Sequence, residues 1–339
     1  MVQHRAYFSG SPSFEFGISF TVPLTLGILS NISIFYAICS ATISSRLTAW
    51  LLRVQAVLDA ICCLWNIVFL WIRQFAVSSF IEAWIQCHVW RTQAPYWISV
   101  AMSTCNLVWI VWNCLWATVY NATYKRHEMA YIIWTTFGTL TYGMVIGIPT
   151  LMIVHLENLD CVTTITPNQT TAHHVISFHL PFWIAFHYLL PIVVMLIGHF
   201  RVICFFRSSE FKQSSDNHDW KPTWCSYLHD KECHPDKQEP VVLPYFIDPL
   251  FRSLTIGSQC LICGVIVAHT FDTVLYIMSS KDGTYSYAVG SDVQLISVFV
   301  TTLNSIVNPI IVALSVPSIR HLIITKLSVL FTKCRCLFC

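Results

Sequence analysis

The chain has 339 residues, 55% of them hydrophobic and only 11% charged, with a formal net charge of +2. That balance is far too apolar for an ordinary soluble globular protein. The near-neutral total says little and the placement of the basic residues says more; no enzymatic activity and no nucleic-acid partner are expected.

Residues 1–15 form a polar start, and the first apolar run is too long for the core of a cleavable signal peptide. Seven runs of membrane-spanning length follow, at about 16–40, 49–71, 96–120, 130–156, 176–206, 254–278 and 293–314. The expected fold is an all-α membrane protein. A seven-transmembrane helix bundle occupies 16–316, including a cytoplasmic loop at 207–248, and a short amphipathic helix with a Cys-rich tail fills 317–339. An odd number of spans disfavours a simply duplicated transporter. Arg46, Arg53, Lys125, Arg126, Arg201, Arg207, Lys212, Lys221, Lys231, Lys237, Arg252, Arg320, Lys326, Lys333 and Arg335 fall on one side, against Arg5, Arg73, Arg91 and Lys281 on the other, and the bias holds without the long loop. The positive-inside rule then puts the N-terminus outside.

In the first span Asn31 lies among apolar residues and wants a hydrogen bond from a neighbouring helix. The second span places Asp59 deep in hydrocarbon, where a carboxylate left alone costs about 2.5–3.5 kcal/mol. It is a functional candidate; the competing reading is a neutral carboxyl bonded to a neighbour. The third span follows Cys87 and carries Ser103, Asn113, Cys114 and Leu115. The outer loop after the fourth span holds Cys161, and the alternation of Cys161-Val162-Thr163-Thr164-Ile165-Thr166 predicts a short hairpin over the entrance. Asn168-Gln169-Thr170 is a glycan acceptor sequence on that loop.

The fifth span contains Phe186-His187-Tyr188-Leu189-Leu190-Pro191, with His199 further along. In the 207–248 loop, Cys225, His229, Cys233 and His234 are zinc-capable residue types at a spacing that fits no strong zinc signature. In the sixth span His269 and Asp272 share a helix face directed at the cavity between the helices. With Tyr96, Trp97 and Asp292 they are the ligand-pocket candidates, although aromatics near a membrane surface more commonly form interfacial belts.

The seventh span reads Leu303-Asn304-Ser305-Ile306-Val307-Asn308-Pro309. Pro309 has no N–H, and its ring disturbs the bond that would reach the Ser305 carbonyl. Asn304 and Asn308 flank that weakened turn from one face. The pattern predicts a polar, deformable point facing protein. Beyond it, Ile319, Leu322, Ile323, Leu327 and Leu330 are expected to face membrane lipid while Arg320 and Lys326 meet headgroups. Cys334, Cys336 and Cys339 beside basic residues suit lipidation.

This last span resembles the NSxxNPxxY signature in the seventh helix of rhodopsin-like G-protein-coupled receptors. The match holds at Asn304, Ser305, Asn308 and Pro309, with Val312 in place of tyrosine. Trp134, Gly147-Ile148-Pro149 and Pro191 are similar to the fourth and fifth helices of that family, and Arg53-Val54-Gln55-Ala56 resembles flatworm-restricted orphan branches of it. The resemblance implies a polar cluster of Asn31, Asp59, Ser103, Asn304, Ser305 and Asn308 that rearranges on activation. It also implies a sodium ion held by Asp59, Ser103 and Asn304, for which oxygen ligands are the right chemistry. It pairs Cys87 with Cys161.

Two motifs depart from the family. Asn113-Cys114-Leu115 stands where an Asp/Glu-Arg-Tyr triplet is usual, at a spacing from Cys87 longer than relatives use, so the usual ionic latch is missing. Ala268-His269-Thr270-Phe271 replaces Cys-Trp-x-Pro and lacks the helix-bending proline. The seventh span also lacks the lysine an opsin needs. The function implied is a plasma-membrane receptor for an extracellular ligand, a short peptide, signalling to a heterotrimeric G protein or arrestin. The alternatives are an atypical or decoy receptor of the same fold and a membrane transporter.

Overall fold

The computed structural model of the chain describes residues 14–72, 78–151, 154–157, 159–162, 181–216, 249–282 and 292–337. Among the described residues, seven helices are long and apolar enough to cross a membrane, and they form one all-α bundle. Helix α1 (Phe14–Ser40) packs along α2 (Arg46–Trp71). Ser45 starts α2 by accepting the Thr48 N–H at 3.0 Å, which satisfies one of the donors that every helix start leaves unmet.

The third span begins earlier than its hydropathy suggests. A six-residue helix α3 (Phe80–Ile85) opens with a reciprocal cap: the Ser79 side chain accepts the Glu82 N–H, and the Glu82 carboxylate accepts the Ser79 N–H. A π-helical turn over Gln86–Trp90 follows, then a break at Gln93, whose φ of 53° is left-handed, before α4 (Ala94–Val119). The wide turn and the break absorb the extra length between Cys87 and Cys114. The fourth span belongs to α5 (Asn121–Leu151), which breaks at His127 (φ −117°, ψ 18°) and ends short of the expected 156.

A two-stranded antiparallel hairpin comes next, β1 (His155–Glu157) with β2 (Asp160–Val162), turning at Leu159 in a left-handed conformation. It includes Cys161 and Val162 of the stretch expected to form a hairpin, and residues 163–166 of that stretch lie outside the described residues. Cys161 is disulfide-bonded to Cys87, and the Arg91 guanidinium donates to the Cys161 carbonyl at 2.8 Å. The hairpin is therefore fastened to the turn that leads into α4.

The fifth span opens as a π-helix over Trp183–Leu189 and continues as α6 (Leu190–Asp216). Pro191 explains the widening: its ring clashes with the carbonyl one turn back, and the Leu190 N–H bonds Ala185 instead. Helix α7 (Pro249–Asp282) runs unbroken through the position of the missing proline, and α8 (Asp292–Ser315) carries Pro309 within it. Helix α9 (Pro317–Leu337) is 21 residues long, and its first apolar residue differs from expectation. Ile319 is completely buried in the bundle core beside Val316, rather than turned to lipid. Ile323 also packs on that core, while Arg320 and Lys326 are exposed.

The third span is the structural axis, with 72% of its apolar stretch buried against 28% for the first and fourth. Small residues let the fourth helix approach it: a Cβ on Gly143 would lie 2.4 Å from Met102 Cγ, and one on Gly147 would lie 2.2 Å from Ile98 Cγ1. The outward faces carry exposed apolar side chains such as Leu26, Leu29, Ile133, Trp134, Phe137 and Val267, as lipid contact requires.

Candidate functional site

Asp59 lies at the middle of α2 with no exposed surface. Its Oδ1 accepts Ser103 Oγ of α4 at 2.7 Å and Ser305 Oγ of α8 at 2.9 Å. Its Oδ2 accepts Asn308 Nδ2 of α8 at 2.8 Å. Gln55 Nε2, one turn earlier on α2, donates to both carboxylate oxygens at 3.0 Å and to Ser103 Oγ at 2.7 Å. One carboxyl group thus joins three helices, and a buried acidic group without such donors would be costly.

Asn31 acts beside this node rather than on it. Its Nδ2 donates to the Ser305 carbonyl at 2.9 Å and to Gly27 of its own helix at 2.9 Å. The Ser305 carbonyl is the acceptor that Pro309 leaves without its usual helical donor. An amide from α1 therefore repairs the gap that proline opens in α8. Replacing Asn31 with alanine should destabilise the protein by about 1–2 kcal/mol. In a Pro309→Ala background, which returns the helical N–H at that position, the same change should cost clearly less. Additive melting shifts in the double mutant would refute this pairing.

Asn304 departs from expectation. It is not bonded to Asp59; its Oδ1 faces α7, only 2.7 Å from where a Cβ on Gly264 would stand. The ion ligand set implied by resemblance does not fit this geometry. Each Asp59 oxygen already takes two or more donors, Asn304 is turned aside, and Gln55 Nε2 fills the point between carboxylate and Ser103 hydroxyl. Asn308 Oδ1 has no hydrogen-bond partner among the described residues, but one oxygen falls short of the cage a hard cation requires. Gln55 and its support, Asn106, are the residues the sequence reading missed. The signal was available: Gln55 and Asp59 sit one helical turn apart, a spacing that favours amide–carboxylate bonding.

At the other end of α4 from the disulfide, Asn113 stands in the former latch position. Its Nδ2 donates to Thr48 Oγ1 at 2.8 Å, and its Oδ1 accepts the Tyr124 hydroxyl at 2.9 Å. Tyr124 also hydrogen-bonds Ser45, and Glu128 accepts from Ser45 Oγ and the Leu47 N–H, each at 3.0 Å. These bonds tie α4 to the starts of α2 and α5 without an arginine. Cys114 is buried in the apolar core, and Leu115 packs there too.

Of the pocket candidates, Tyr96, Trp97, His269 and Asp272 are all buried inside the bundle. The Tyr96 hydroxyl donates to the Val298 carbonyl at 2.9 Å, and Asp272 accepts Ser297 Oγ at 2.7 Å. Trp97 meets Trp183 edge-on at 5.2 Å, and the His187 and His269 rings are 5.0 Å apart. Neither ring nitrogen of His187 has a hydrogen-bond partner among the described residues. Asn168, Cys339 and the Cys225/His229/Cys233/His234 set lie outside the described residues, as do the side chains of Asp292, Cys334 and Cys336.

A bundle of seven apolar helices around a buried polar node makes this a multi-pass membrane protein, of a fold that suits a receptor or a transporter. No protein-family model and no curated protein matches the chain.

Proposed function

We propose that this is a rhodopsin-like G-protein-coupled receptor of the plasma membrane, with its N-terminus outside. It binds an extracellular ligand, a short peptide, and transmits occupancy by moving α8 about Asp59 and Pro309. The observation that carries this reading is the node itself: Asp59 bonded to α4 and α8, and the proline-freed Ser305 carbonyl held by Asn31 of α1. The Ser103 and Ser305 hydroxyls can exchange acceptors at little cost, so a ligand that favours one packing shifts the population toward it. The ligand enters at the end closed by the disulfide-fastened hairpin, above the Trp97, Trp183 and Asp272 cluster. The partner, a heterotrimeric G protein or arrestin, meets the opposite, basic end.

A second reading has its own support. Asn113 is held by neutral hydrogen bonds, and Cys114 is packed among apolar residues, so the arginine that relatives use at this position has no counterpart. This favours an atypical receptor that signals through arrestin alone or acts as a decoy. A peptide-library screen on cells expressing the full chain, read for both G-protein and arrestin recruitment, tests both readings. A hit with guanine-nucleotide-sensitive affinity supports the first, and an arrestin-only hit supports the second. Solute flux in proteoliposomes without any peptide would overturn both in favour of a transporter.

A further inference from the structure

We infer that the Gln55 side-chain amide is a built-in replacement for a metal cation at the central carboxylate, and that the site takes no sodium. The geometry is specific. Gln55 Nε2 stands 3.0 Å from each Asp59 oxygen and 2.7 Å from Ser103 Oγ. A cation ligated by that carboxylate and that hydroxyl would need to sit about 2.3–2.6 Å from each. The two positions overlap, so amide and ion exclude each other.

The amide is also held with its nitrogen toward the acid. Asn106 Nδ2 donates to Gln55 Oε1 at 2.9 Å and is itself anchored by the Leu51 carbonyl at 2.9 Å. Turning the Gln55 amide over would set its NH2 against the Asn106 NH2 and its oxygen against the Asp59 carboxylate. Both contacts would be repulsive, so Asn106 acts as a key that locks the amide. The chain from Leu51 through Asn106 and Gln55 to Asp59 and Ser103 is buried throughout. The amide NH2 thus takes the position that a cation on this carboxylate would need, and satisfies its oxygens with hydrogen bonds instead. This conclusion rests on the node alone and holds for a receptor or a transporter.

The test is thermal melting of the purified full chain, with sodium chloride exchanged for choline chloride at constant ionic strength. The wild type should melt at the same temperature in both salts. Gln55→Leu opens the position, and its melting temperature should rise saturably with sodium by at least about 2 °C. Gln55→Ala, which removes every atom beyond Cβ, should behave alike and serves if the leucine variant does not fold. A sodium-specific rise in the wild type overturns the inference, as does a folded leucine or alanine variant that gains no sodium response. Should neither variant fold, the wild-type comparison decides alone.

Discussion

Asp59→Ala should lower stability by about 2–4 kcal/mol, because it strands donors that cannot turn elsewhere. The Ser103 and Ser305 hydroxyls can rotate onto carbonyls of their own helices and lose little. The amides of Gln55 and Asn308 have no such freedom, since Gln55 is fixed by Asn106 and Asn308 lies 1% exposed against α2. Each unmet amide costs about 1–2 kcal/mol in a dry interior. For a protein of this size the loss reads as a fall in melting temperature of about 3–6 °C. Asp59→Asn keeps one acceptor oxygen and should fall between the two. An alanine variant that melts within a degree of the parent would show that the node does not hold the helices together.

Gly147→Val is the second large effect. A Cβ on Gly147 would meet Ile98 Cγ1 at 2.2 Å and Cδ1 at 2.7 Å. Isoleucine on a helix has essentially one favoured χ1, so Ile98 cannot step aside, and the α4–α5 contact must open. The expected loss is about 3 kcal/mol, seen as early melting or failure to purify as a single species. Ile98→Ala in the same chain should restore much of it. Gly143→Ala provides the contrast: its neighbour is Met102, a flexible side chain that can move, so the cost should be much smaller. Equal losses at the two glycines would mean that side-chain stiffness is not what decides.

The helix count was legible because a spanning helix must be both apolar and long, and hydropathy records both. Boundaries were less legible where backbone geometry departs from the α-helix. Nothing in the residue pattern marks the π-helical turn at Gln86–Trp90, so hydropathy starts the third span at 96, whereas the helical segment begins at Phe80. At the node, resemblance named Asp59, Ser103, Ser305 and Asn308, and the structure brings these together. It also named Asn304, whose side chain turns away. Four residues turn the helix by about 40° beyond a full circle, so Asn304 shares a face with Asn308, and only its side chain, directed at Gly264 of α7, keeps it from Asp59. Gln55 does not stand out in the sequence beside a charged residue, yet this neutral amide one turn earlier completes the arrangement. For the aromatic residues the sequence left a pocket and an interfacial belt both open, and the buried Trp97–Trp183 contact is a matter of packing that residue type alone does not record.

The polar load on α2 has a consequence for biosynthesis. Thr48, Gln55, Asp59 and Asn66 are all buried on this one helix, and each finds a partner on another: Asn113, Asn106, Ser103 and Thr302. Released alone from the insertion machinery, α2 would present every one of these groups to acyl chains. It is therefore expected to wait at the translocon until α4 emerges, so that the second and third spans enter the bilayer as a pair and α8 closes the assembly last.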